Sequence, residues 1–166
     1  MLRRQSFRHR LRAFQAMRGA APDAGFIADL EYLENRDLDL SVRLGGLLAF
    51  NALMTTIGTH PVSASPGAPL SLDAHAQPVL VIASLIALLP FVISSILCLR
   101  GLLVGEEFDA DGHAITDDHA LRARLFAAFI RSVDIQRRML TLGVWNSLAG
   151  GALTIAVWAW ILAVKI

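Results

Sequence analysis

Lysine is almost missing from this chain: Lys165 stands alone against fourteen arginines. Cysteine is as scarce, and the single Cys98 excludes an internal disulfide and with it the stapled secreted scaffolds. Charged residues make up 17% of the 166, where an ordinary soluble domain carries about 25%. No phosphate-binding loop, nucleophile elbow or zinc-protease helix occurs, so no catalytic residue, cofactor site or metal site is expected and the chain does not read as an enzyme. What is abundant is apolar: 55% of residues are hydrophobic and the mean hydropathy is +0.54. That surplus exceeds what one core with a wetted surface can hide, which excludes a soluble enzyme and intrinsic disorder and requires lipid contact.

Three apolar runs carry the surplus. Met139 to Val164 gives 26 residues without a charge and Pro78 to Leu99 gives 22. About 20 helical residues cross a hydrocarbon layer of roughly 30 Å, so both are long enough. Leu44 to Thr59 is shorter, at 16 residues, and spans if its helix begins near Leu38 with Asp39 and Arg43 among the headgroups. The expected fold class is therefore an all-α integral membrane protein with three transmembrane helices. Its divisions are a basic segment and helix over 1–37, the first span over 38–59, an external loop over 60–77, the second span over 78–104, an acidic turn and amphipathic helix over 105–138, and the third span over 139–166.

The basic residues set the expected orientation. Eight arginines precede the first span, none lies between the first and second, six lie between the second and third, and Lys165 follows. Cytoplasmic loops retain Lys and Arg, which places the N-terminus in the cytoplasm and the C-terminus outside. Arginine over lysine with abundant alanine points to a bacterial inner membrane. The first 22 residues lack Asp and Glu and also read as a mitochondrial transit peptide, which makes the mitochondrial inner membrane the lesser alternative.

Residues 1 to 20 can form a basic helix with Phe7, Leu11 and Phe14 on one side, lying on anionic headgroups, or a disordered arm. Asp23 can cap a helix running to about Asn35, with Phe26, Leu30 and Leu33 on the face that packs. The prolines at 61, 66, 69 and 78 predict an external loop without a stable element. Past the turn at Asp111-Gly112, Thr116 or Asp117 can cap one long helix of about 45 residues through the third span, with Leu121, Leu125, Ala128, Ser132 and Ile135 as its cytoplasmic stripe.

Polar and small residues inside the spans are the informative positions, because lipid gives helices no hydrophobic reason to associate. Gly143, Ser147 and Gly151 recur every four residues, and Gly45 and Ala49 do likewise. Asn51 and Asn146 are amides that need a partner helix or a wet path. These five, Asn51, Gly143, Asn146, Ser147 and Gly151, are the candidate helix-packing or assembly residues, and leucines at 143, 147 and 151 are expected to break self-association. Pro90 removes one helical hydrogen bond and predicts a kink, with Ser94 and Ser95 placed to satisfy the freed carbonyls. Trp145, Trp158 and Trp160 read as interfacial belts. The cluster from Asp109 to His119 lacks the sixth-position glycine and twelfth-position glutamate of a calcium loop and reads as a capped turn.

The order of these features resembles the transmembrane effector module of bacterial Pycsar antiphage systems and, more loosely, SLATT-like membrane effectors. The likeness covers residues 35 to 164 and rests on Asp39-Leu40-Ser41-Val42-Arg43-Leu44 leading into Leu47-Leu48-Ala49-Phe50-Asn51, the long second loop, and Arg137-Arg138 before the last span. Ser41 stands where that family's lysine would be and Val42 where its alanine would be, with the charge moved to Arg43. The resemblance implies a self-associating protein that disrupts the bilayer when a nucleotide signal is sensed. The partners expected are the lipid bilayer and either further copies of the chain or another membrane protein, with no nucleic acid polymer. The alternative function is an accessory or anchoring subunit of a larger complex.

Overall fold

The computed structural model describes residues 22–104 and 118–165. The basic segment over 1–20 and the acidic turn with its cap at Thr116 or Asp117 lie outside the described residues. All regular structure among the described residues is helical: α1 (Pro22–Gly58), α2 (His60–Ser63), α3 (Pro78–Leu103) and α4 (Asp118–Lys165). Three of these, α1, α3 and α4, are long and apolar enough to cross a membrane.

Helix α1 joins two elements that the sequence separates. A helix ending near Asn35 and a span beginning near Leu38 are one continuous helix of 37 residues. No proline stands at the junction, and Asp39 accepts from Arg36 at 2.8 Å and from Arg43 at 2.9 Å, one turn to either side. This pairing, at the spacing where helical side chains meet, relieves charge where the chain turns apolar. The loop over 60–77 is also more ordered than its prolines predict. Pro61, in the first turn of α2, is buried there, and the Leu72 N–H donates to the Pro61 carbonyl to close the loop. Proline starts a helix without loss because its missing N–H is one the first turn leaves unpaired. Pro90 lies inside α3, which continues through it. Neither serine serves the carbonyl it frees: Ser95 Oγ donates to Phe91 O and Ser94 turns to another helix.

The three long helices run up, down and up. Helices α1 and α4 are parallel. Phe26 meets Phe126 edge to face with ring centroids 5.2 Å apart, Leu33 and Leu40 form a core with Val133, and Asn51 bonds Ser147. Helix α3 runs against both. A methyl on Gly101 would lie 2.9 Å from Leu44 and 3.3 Å from Met139, whereas one on Gly58, at the other end, would strike Leu88. Because α3 stops at Leu103, the N-terminal halves of α1 and α4 continue beyond it as a two-helix stalk. Leu44, Gly101 and Met139 share one level, so their chain neighbours Arg43, Arg100 and Arg138 ring the bundle where the stalk begins.

The buried face of α4 in the stalk differs from the predicted stripe. Phe126, Phe129, Ile130 and Leu140 pack on the core of Leu33, Leu40 and Val133, Gln136 is buried as well, and of the expected set with described side chains only Ser132 is buried. The cause is Gln136, a polar residue that the packing buries almost completely and that breaks the apolar pattern of the true face.

In the bundle the polarity of a soluble protein is inverted. On α3 the buried positions are Leu80, Ser84, Ala87, Phe91, Ser94, Cys98 and Gly101, with Leu88 beside them, mostly small or polar. Its exposed positions are large and aliphatic, among them Ile82, Leu85, Leu89, Val92, Ile93 and Ile96. Small residues let backbones approach, and the large ones meet lipid. The seven main buried positions step by 4 and 3 in strict alternation. A mean period of 3.5 is that of left-handed coiled-coil packing.

Candidate functional site

Halfway along the bundle the three helices converge on a buried polar cluster. Asn51 of α1, Ser94 of α3 and Ser147 of α4 each lie on a buried seam, about 10 Å along the axis from the arginine ring at 1.5 Å per residue. The Asn51 Nδ2 group donates to Ser94 Oγ at 2.7 Å, and Ser147 Oγ donates to Asn51 Oδ1 at 2.6 Å. Ser94 Oγ lies 2.8 Å from the Gly143 carbonyl and 2.9 Å from Ser147 Oγ. Each hydroxyl has one proton. With that of Ser147 given to Asn51, the proton of Ser94 goes either to Gly143 O or to Ser147 Oγ, and the second choice closes a ring through all three side chains.

Gly143 makes this approach possible. A Cβ there would lie 3.0 Å from Leu47, 3.3 Å from Ser94 Oγ and 3.5 Å from Cys98 Sγ. One heptad on, the Phe91 ring rests on Gly150, where a Cβ would sit 2.9 to 3.0 Å from three ring atoms. The clasp itself carries no ionisable group. It offers hydrogen bonds that would otherwise be lost to hydrocarbon, where an unpaired amide or hydroxyl costs several kcal/mol.

Three of the five candidate residues, Asn51, Gly143 and Ser147, are brought together here, inside one copy of the chain. The other two are not. Asn146 is half-exposed at the edge of the packed seam and donates to Leu142 O of its own helix at 2.8 Å. Gly151 has open space where a Cβ would stand. The small residues that pack α4 are Gly143, Ser147 and Gly150, at spacings of four and three, so leucines at 143 and 147 would attack the protomer before any contact between copies. Sequence reasoning missed Gly150 and misassigned Ser94. The 3.5-residue period that singles out Gly150 on α4 is visible only when α3 fixes which face is inside.

At the far end Lys165 reaches back from the last turn of α4. Its Nζ donates to the Ser71 carbonyl and, at 3.3 Å, to the Ala68 carbonyl, tying the loop after α2 to the end of the bundle. Trp145 and Trp160 are exposed and Trp158 is half-buried. Among the described residues no group of three or more His, Cys, Asp or Glu side chains is placed to hold a metal. No family model, no curated protein and no solved structure matches the chain.

Proposed function

We propose that this chain is a non-enzymatic membrane protein that self-associates and acts as a channel-like or membrane-disrupting effector, with the stalk in the cytoplasm. The observation that carries the reading is Asn146. Its amide lies half-exposed about 10 Å past Met139, donates one N–H to Leu142 O, and has no partner for its side-chain oxygen among the described residues. An amide toward lipid is costly, and a second helix presenting a donor relieves that cost. The resemblance to Pycsar effectors supplies the rest of the proposal, a nucleotide signal as trigger.

Light scattering of the chain in nanodiscs and in mild detergent tests the first part. An oligomer is expected, weakened about threefold or more by Asn146→Leu, since interhelical hydrogen bonds in bilayers average about 0.6 kcal/mol. A monomer at every concentration overturns the reading. Release of dye from vesicles carrying the protein, with and without cyclic nucleotides, tests the second part, and intact vesicles throughout would remove it.

A second reading, an anchoring subunit, is favoured by the stalk. Ile27 and Leu38 lie beyond the arginine ring, outside the bundle, yet are 67% and 63% exposed. Purification from the native membrane as a hetero-complex, with a monomer when expressed alone, would select this reading.

A further inference from the structure

Resting on the self-association proposed above, we infer that copies assemble side by side in the membrane, the outer face of α1 of one copy against the outer face of α4 of the next. The stalk halves of these two helices carry opposite charge. Residues 22–42 of α1 hold six acids and one arginine, and residues 118–138 of α4 hold five arginines and two aspartates. On α1, Ile27, Glu31, Glu34, Leu38 and Val42 are exposed and recur every three or four residues, forming one outward face opposite the Leu33–Leu40 seam. On α4, Arg131 and Arg138 are exposed on the corresponding outward face and bracket the half-buried Asp134, which leaves that face net positive.

Both faces continue into the bundle at the same spacing. That of α1 runs on through Ala49, Ala52 and Thr56, and that of α4 through Leu142, Trp145, Ala149, Ala152, Ala156 and Ala159, all exposed. Small side chains there leave room for a neighbouring backbone, and Asn146 borders the α4 face between Leu142 and Ala149.

The heights match. Phe26 sits level with Phe126 and Leu33 with Val133, so Glu31 and Glu34 stand at the level of the 131–134 turn. Asn51 is level with Ser147, which brings Ala52 level with 148 and Ala149. Copies related by rotation about the membrane normal keep these heights. Glu31 and Glu34 of one copy then come level with Arg131 of the next, within the stalk, where opposite charges attract through partly screened water. An α1 face on an α4 face leaves the complementary face free on each copy, so the contact repeats and closes into a ring. The occupant of each face is thus a second copy of this chain.

Charge reversal tests the pairing on surface residues that the protomer does not use. The variants E31R/E34R and R131E/R138E are each expected to lose the oligomer in nanodiscs, and an equimolar mixture to recover it, because the reversed faces again meet opposite charge. Oxidative crosslinking supplies the geometry, with Cys98 retained because it is buried. Chains carrying Ala52→Cys, mixed with tagged chains carrying Ala149→Cys, are expected to give a mixed crosslinked dimer, and either chain alone to give little. An oligomer that crosslinks instead through 52 to 52 or 149 to 149, or that charge reversal leaves intact, overturns this arrangement while self-association stands. A wild-type monomer overturns both.

Discussion

Asn51 and Ser147 stand 96 positions apart in the chain, yet a 2.6 Å hydrogen bond joins them in the centre of the bundle. Ser94, from the helix running the other way, bonds Asn51 and lies within hydrogen-bond distance of Ser147. One side chain from each long helix is thus committed at a single level, and sliding any helix by one residue would strand a polar group among apolar ones.

The clasp is neutral, and substitution of Asn51 distinguishes loss of a hydrogen bond from burial of a charge. Asn51→Leu leaves both hydroxyls within reach of the Gly143 carbonyl, so a loss of about 1 kcal/mol is expected. Asn51→Asp places a carboxylate in the span and costs more, about 2.5 kcal/mol or above. Unfolding in mixed detergent micelles measures both. Equal losses, or the leucine variant proving the weaker, would refute the clasp as drawn.

Gly150 and Gly151 are neighbours with opposite expected responses. Gly150→Ala drives a methyl into the Phe91 ring and is expected to destabilise by about 1–3 kcal/mol, the usual penalty for overpacking. Gly151→Ala meets open space and is expected to be neutral, or stabilising by at most about 1 kcal/mol through better helix propensity. Thermal melts of the two single variants decide it, and a reversed order would mean that α4 is rotated about its axis.

Cys98 has no exposed surface and packs beside Ser94 and Gly143. A maleimide is therefore expected to label the folded protein in detergent far more slowly than the protein unfolded in SDS. Equal rates would place Cys98 on the outside of α3.

Lys165 ties the loop at 68–71 to the end of α4. Lys165→Ala is expected to leave the melting temperature within the small range of a surface substitution while raising the rate of proteolysis within 64–77 in nanodiscs. An unchanged cleavage rate would show that the loop is held by its own hydrogen bonds, such as those of Leu72 to Pro61 and Ser71 to Ala68.

Much of the architecture was legible before the fold. Uncharged runs of spanning length, a missing breaker between the amphipathic segment and the last span, and an amide inside an apolar run are local features, and they indicate helices, their number and the need of Asn51 for a partner. Which face of each helix turns inward was less legible. In the spans, apolar residues occupy every face of α3 and α4, so periodicity has no contrast to read. The stalk had contrast, but Gln136 blurred it.

The sequence by itself therefore determined the class of the molecule, three apolar helices in contact with lipid, because the cost of exposing backbone and charge to hydrocarbon depends only on composition and length. Only the tertiary structure decided that Gly150 and not Gly151 receives Phe91, that Ser94 closes the clasp, and that Asn146 stays out of it. Those choices follow from how side chains of three helices fit one another at a 3.5-residue period, and steric fit between segments distant in the chain is not encoded in any one of them.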